Sequence, residues 1–65
     1  FGELEQRLLA AVGQLPPEQQ DALLLQGQGF SVSEVAEITG SGEETTKSRL
    51  RYARMQLREL MGGEQ

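Results

Sequence analysis

The sequence contains no cysteine and no histidine among its 65 residues. Without cysteine there can be no disulfide bond. Without either residue there are no thiolate or imidazole metal ligands, and the usual nucleophiles and bases of hydrolases are missing. No apolar run approaches the roughly 18 residues that a membrane-spanning helix needs, and no signal-peptide pattern is present. We therefore expect a cytoplasmic protein with no cofactor, no metal site and no membrane partner.

The chain is also short, so residues 1–65 can form one small domain with a single modest core. Its composition, 37% apolar and 25% charged, is that of an ordinary globular protein. The chain begins at Phe1 rather than at Met, and we expect it to be a piece of a longer polypeptide. A domain of this size has little room for a deep pocket, which favours a binding module over an enzyme.

Helical periodicity predicts four helices, and no segment alternates as a strand would, so the expected fold class is all-α. The first helix is predicted over about 3–12 and ends at Gly13. The second begins at the proline pair before Glu18, where the first helical amides need no partner. Its apolar run at 22–25 is too wide for one narrow stripe, which predicts that this helix is the buried centre of the domain.

The third helix carries signals at both ends. Ser31 and Glu34 have the spacing of a capping box, and Gly40 has the position of a left-handed C-cap. A longer fourth helix begins near Glu43. A short helix, a turn of about four residues and a longer helix give residues 31–61 the outline of a C-terminal helix-turn-helix.

The charge is divided between the two ends of the chain. Residues 1–46 hold eight carboxylates against a single cation, Arg7, whereas residues 47–65 hold five cations against two carboxylates. The net charge of −4 therefore consists of −7 in the first segment and +3 in the second. A local basic stripe matters more for nucleic-acid binding than the overall charge.

The fourth helix separates into faces when its residues are placed at about 100° each. The apolar stripe that should pack on the core consists of Thr46, Leu50, Ala53, Leu57 and Leu60. A basic flank follows it, formed by Lys47, Arg51, Arg54 and Arg58. The outward face carries Ser48, Tyr52, Met55 and Glu59, and the opposite flank carries Thr45, Arg49 and Gln56. A helix that reads bases in the major groove needs a polar outward face with cations toward the phosphates.

The same pattern is open to a plainer interpretation, a solvated amphipathic helix whose cations favour the negative end of the dipole. The cations, however, begin at Lys47, in the first half of the helix, where the dipole does not favour them. Tyr52 is also exposed by phase, and an exposed aromatic among arginines is typical of an interface.

Five segments carry a family resemblance: LPPEQQ at 15–20, ALLL at 22–25, GFS at 29–31, EVAEI at 34–38 and TTKSRLRYAR at 45–54. Together they resemble domain 4 (region 4) of bacterial RNA polymerase sigma factors of the sigma-70 family, most closely the extracytoplasmic-function (ECF) group. The Gly-Ser-Gly sequence at 40–42 resembles a subset of that group with glycine before the recognition helix. Thr46 and Ser41 are more polar than the usual residues there, which predicts a looser turn.

The resemblance implies recognition of the upstream (−35) promoter element by the second helix of the helix-turn-helix and docking on the β flap of RNA polymerase, in the bacterial cytoplasm at the nucleoid. It implies that the residues near bases are Glu44, Ser48, Arg51 and Tyr52. It implies that the residues near phosphates are Ser33, Thr45, Lys47, Arg49 and Arg54. Arg51 could pair with guanine and Glu44 with a cytosine amino group, each pair contributing about 1–3 kcal/mol of discrimination.

Two other functions fit parts of the sequence. A response-regulator-type helix-turn-helix effector domain shares the Thr-x-Lys-Ser pattern but typically lacks the Leu-x-x-Ala-Arg-x-x-Leu that follows it here. A sigma-like interaction module that binds an anti-sigma factor would suit the acidic first three helices. Catalysis has no candidate, because Ser48 and Lys47 are adjacent on a helix and point about 100° apart.

Overall fold

The structure is a computed structural model that describes residues 2–62, so the outermost residues of the predicted domain lie outside it. It contains four helices: α1 (Glu3–Gly13), α2 (Pro17–Gly27), α3 (Val32–Thr39) and α4 (Glu43–Leu60). No strand occurs among the described residues. The predicted all-α fold with a C-terminal helix-turn-helix is confirmed, and each predicted helix start and end lies within a few residues of the observed one.

The ends of α3 follow directly from the sequence. The Glu34 amide donates to Ser31 Oγ at 3.1 Å, and the Ser31 amide donates to Glu34 Oε1 at 2.8 Å, which is the predicted capping box. Gly40 closes the helix in the left-handed conformation, with φ of 73°. The next amide, of Ser41, then donates to the carbonyl oxygen of Ala36 at 3.0 Å. The short helix is thus fixed at both ends before tertiary packing adds anything.

The core lies where α2, α3 and α4 meet. Its centre consists of Ala22, Val35 and Leu50, one residue from each helix. The small Ala22 lets α2 approach the other two helices closely, and the branched or larger side chains of Val35 and Leu50 fill the space between them. Ala53 and Thr46 extend this buried seam along α4.

Helix α1 joins the core mainly through α4. Ala11 is the buried residue of this helix, and Leu15 is buried in the link that follows it. Gln20 of α2 ties the link down, because its Nε2 donates to the Val12 carbonyl oxygen at 3.0 Å. At the far end, Arg7 Nη2 donates to the carbonyl oxygen of Met61 at 3.5 Å. Helix α1 is thereby attached to both ends of the rest of the domain.

Several apolar side chains lie further out than the periodicity predicted. Helix α2 is not buried on all sides, because Leu24 is 47% exposed while Ala22 is buried. In α4, Leu60 is exposed although it belongs to the predicted apolar stripe, and Ile38 is an exposed apolar residue of α3. The domain has only three helices around its centre, so each helix buries one side and leaves the edges of its apolar face in contact with solvent.

The two polar residues that predicted a looser turn before α4 are both hydrogen-bonded. Thr46 is fully buried, and its Oγ1 donates to the Gly42 carbonyl oxygen at 2.9 Å. The Ser41 hydroxyl accepts a hydrogen bond from Arg49 at 2.6 Å. Both hydroxyl groups that suggested a loose turn therefore have hydrogen-bond partners in or next to the turn.

Candidate DNA-binding surface

The orientation of α4 is set by its buried side. Thr46, Leu50 and Ala53 are the buried residues of this helix, as the predicted stripe requires. Leu57 is half-buried. Because these residues face the core, the positions about 200° away face solvent. Helix α4 therefore has the rotation about its own axis that the site prediction assumes.

The outward face of α4 is exposed along its length. Tyr52 is 54% exposed and Met55 is similarly open, although both are large enough to be buried in a core. Ser48 and Glu59 are exposed on the same face. An aromatic ring, a thioether and a hydroxyl group thus stand free on one side of an 18-residue helix.

The basic flank is equally accessible. Lys47, Arg51, Arg54 and Arg58 are all exposed and lie along one edge of α4. They line a shallow groove whose other wall is formed by Gln26 at the end of α2 and Val32 at the start of α3. A row of cations beside a polar face has the charge and the spacing to follow a phosphate backbone.

Two of these cations have partners in the free domain. Lys47 Nζ lies 3.7 Å from Glu44 Oε2, one turn earlier on α4. The Glu44 side chain is almost fully exposed, so this ion pair contributes at most about 1 kcal/mol and opens readily. Arg54 Nη2 donates to Gln26 Oε1, which ties the basic flank to α2.

Arg49 lies apart from the other cations of α4. Its side chain is half-buried, and its Nη1 bonds to Ser41 Oγ in the turn between α3 and α4. It lines a cleft on the opposite side of α4, together with Glu18 and Asp21 of α2. The structure therefore does not bring this guanidinium group together with the basic flank.

The remaining residues of the predicted site are exposed on two helices. Thr45 lies in the first turn of α4, and Ser33 lies in the first turn of α3. Both side chains are exposed and carry a hydroxyl group that can donate to a phosphate oxygen. Gln26 was not among the predicted site residues. No local pattern marks it, because it becomes relevant only through Arg54, 28 positions away.

A second surface feature is apolar. A groove between α1, α2 and α4 is lined by Leu8, Val12, Leu23, Leu24, Gln26, Gly27 and Leu57. We call this the apolar groove. Leu8 and Leu24 are exposed leucines at its walls.

Within residues 2–62, no helix is both long enough and apolar enough to cross a bilayer.

Comparison with known proteins places this arrangement in a family. No curated protein and no solved structure matches the chain significantly. The family model described as sigma-70, region 4, matches residues 5–57, which include α2, α3, the turn and most of α4. This family consists of DNA-binding regulatory domains of sigma factors, not of enzymes. Because the family model covers more than half of its length, the chain belongs to the sigma-70 region 4 family.

Proposed function

We propose that this chain is the C-terminal domain of a sigma factor of the ECF group and that it reads the −35 promoter element by placing α4 in the major groove. The observation that supports this most strongly is the exposed outward face of α4 beside four exposed cations. Such a helix meets base edges with its outward face and phosphates with its flank. The proposed place of action is the bacterial cytoplasm, where promoter DNA lies.

The proposed base-reading residues stand on or next to the outward face. They are Glu44, Ser48, Arg51 and Tyr52. Arg51 has the fork of donors that pairs with the O6 and N7 acceptors of guanine, and Glu44 has a carboxylate that accepts from the amino group of cytosine. Glu44 also forms an ion pair with Lys47, one of the proposed phosphate-binding residues. Base reading and phosphate binding at the start of α4 are therefore coupled.

The proposed phosphate-binding residues surround that face. They are Ser33, Thr45, Lys47 and Arg54, with Arg49 able to join them only if it leaves Ser41. Arg54 is held by Gln26 before DNA arrives, which lowers the entropy lost when a phosphate binds. The acidic residues of α1 and α2 repel DNA from the rest of the surface, so the basic flank directs the approach.

The experiment compares two single substitutions on a duplex that the chain selects from a randomised library. Lys47→Ala should weaken binding to all sequences alike and reduce the slope of log affinity against log salt concentration by about 0.9, as expected for one lost phosphate contact. Arg51→Ala should instead relax the preference at one base position, at a cost of about 1–3 kcal/mol for the best sequence. Arg7→Ala, which removes the one cation of α1, is the charge-matched control.

Two results would contradict this assignment. One is the absence of any preferred sequence in the selection. The other is a uniform loss for both Arg51→Ala and Lys47→Ala, which would show that Arg51 contacts phosphate and not a base. A loss for Arg7→Ala as large as that for Lys47→Ala would show that only the total charge matters.

The apolar groove supports a second part of the function, docking on the β flap of RNA polymerase. Exposed leucines at the walls of a groove between three helices are suited to an apolar segment of a partner protein. Leu24→Asp should abolish binding to an isolated flap fragment and leave duplex binding unchanged, because Leu24 lies on α2 and away from the outward face of α4. If this variant kept its flap binding but lost binding to an anti-sigma factor, the apolar groove would be the binding site of the anti-sigma factor and not of the flap.

A further inference from the structure

The turn between α3 and α4 has one side chain of its own that can hold it. It consists of Gly40, Ser41 and Gly42, so two of its three residues have no side chain. Gly42 is the N-cap of α4 and provides no side-chain cap, in contrast to Ser31 at the start of α3. Glycines give a chain more conformational freedom than any other residue. Besides the packing of Val35 against Leu50, the angle between α3 and α4 therefore depends on hydrogen bonds that reach the turn from the two helices.

One such bond comes from α4 itself. Arg49, in the second turn of that helix, donates from Nη1 to Ser41 Oγ at 2.6 Å. The bond is part-buried, and Ser41 is the only residue of the turn with a side chain to accept it. It joins two residues eight positions apart and so spans the connection between the turn and the first turns of α4.

The surroundings of Arg49 keep its side chain on this side of the helix. Glu18 and Asp21 of α2 line the same cleft, so the guanidinium group lies in a region of negative charge. The four cations of the basic flank are exposed, whereas Arg49 is half-buried. Moving Arg49 to a phosphate would break the bond to Ser41 and take the cation away from two carboxylates.

We propose that Arg49 is a positioning residue: it holds the turn through Ser41 and so fixes α4 at the angle to α3 at which its outward face enters a duplex. This inference rests on the proposed DNA-binding function and revises the role of one residue in it. Without the bond, the turn samples more conformations. The affinity for DNA then falls in proportion to the fraction of chains in which α4 is correctly oriented. The strength of one partly exposed, charge-assisted hydrogen bond corresponds to a loss of about fivefold.

The salt dependence of DNA binding separates positioning from phosphate contact. We would measure affinity for the selected duplex against salt concentration with Ser41→Ala, Arg49→Met and the double variant. Ser41→Ala changes no charge, so its expected loss of about fivefold comes with an unchanged slope. The double variant should lose no more than either single variant, because both remove the same bond. Lys47→Met is the control in which the slope falls by about 0.9.

A measurement on the free chain tests the clamp without DNA. The Ser41 amide donates to the Ala36 carbonyl oxygen at 3.0 Å, so its hydrogen exchange reports opening of the turn. Relative to its intrinsic rate, exchange at the amide of position 41 should accelerate about fivefold in Ser41→Ala and in Arg49→Met, and remain unchanged in Lys47→Met. If the parent chain bound no duplex at all, the proposed function would fail, and the exchange rates would still decide whether the clamp exists.

The proposal is overturned if Ser41→Ala binds the duplex as tightly as the parent chain while Arg49→Met reduces the slope by about 0.9, because Arg49 would then be a phosphate contact. It is also overturned if the exchange rate of the Ser41 amide is the same in the parent, Ser41→Ala and Arg49→Met chains. Additive losses in the double variant would show that the two residues act separately, which contradicts the clamp as well.

Discussion

Leu50→Ala tests the phase of α4, on which the DNA-binding surface depends. Leu50 is 2% exposed and packs against Ala22 and Val35 at the centre of the domain. A buried leucine truncated to alanine costs about 2–5 kcal/mol, depending on how far the neighbours can move into the space. Val35 is completely buried and cannot move far, but partly exposed residues around the cluster can shift inward. We therefore expect a cost near the middle of that range, about 3 kcal/mol.

That cost is large for this chain. Proteins have about 0.05–0.15 kcal/mol of stability per residue, which gives a 65-residue domain roughly 3–10 kcal/mol in total. At about 4–8 °C for each kcal/mol in a domain of this size, the midpoint of thermal unfolding should fall by about 12–24 °C. Far-UV circular dichroism follows the loss of helix with heat or urea and gives both values.

Leu60→Ala is the matched control, since it makes the same truncation on the same helix. Leu60 is 37% exposed and lies at the end of α4. Its truncation should cost less than about 1 kcal/mol, because solvent already reaches the side chain and the substitution therefore leaves almost no cavity. The assigned phase would be refuted if Leu50→Ala melted within a few degrees of the parent, or if Leu60→Ala cost as much as Leu50→Ala.

Four further substitutions, three in the helix-turn-helix and one at the end of α2, test local features by the same unfolding measurements. Ser31→Ala removes one side of the capping box and should cost about 0.5–2 kcal/mol, and a cost of zero would show that the box contributes nothing in solution. Gly40→Ala should cost about 1–2 kcal/mol through backbone strain alone, because a Cβ there meets no atom within 4 Å. Gly27 is equally open but has no positive φ, so Gly27→Ala should instead stabilise the domain by about 0.4–1 kcal/mol. A loss of stability in both glycine variants, or a gain in both, would contradict the strain argument. Thr46→Val should change stability by less than about 1 kcal/mol, because the Thr46 amide still bonds to the carbonyl that loses the hydroxyl; a loss above about 2 kcal/mol would show that the hydroxyl holds the turn.

The family of this chain and its proposed promoter and polymerase partners are supported by different observations. The match to sigma-70 region 4 over residues 5–57 establishes a DNA-binding regulatory domain. The ECF group, the −35 element and the flap are proposals that rest on the segments quoted from the sequence and on two surfaces of the structure. Each surface has its own test, Arg51→Ala for the outward face and Leu24→Asp for the apolar groove, so either part can fail without the other.

The sequence by itself determined the four helices and the side of α4 that is buried. These features depend on local physics: hydroxyl and glycine signals such as Ser31 and Gly40 fix helix ends, and the spacing of Thr46, Leu50 and Ala53 fixes a face. The choice of outward residues followed from the same spacing. A short chain with strong local signals leaves few alternatives for its secondary structure.

Only the tertiary structure decided which partners the long side chains take. Helical phase puts Arg49 on a flank of α4, but it cannot show that the guanidinium turns back to Ser41 on the side lined by acidic residues of α2. Nor can it pair Arg54 with Gln26, 28 positions earlier. Arginine and glutamine have several rotatable bonds, so their end groups reach whichever acceptor or donor the packing of the helices brings near. Periodicity therefore gives the direction in which a side chain starts, and the assembled fold determines where it ends.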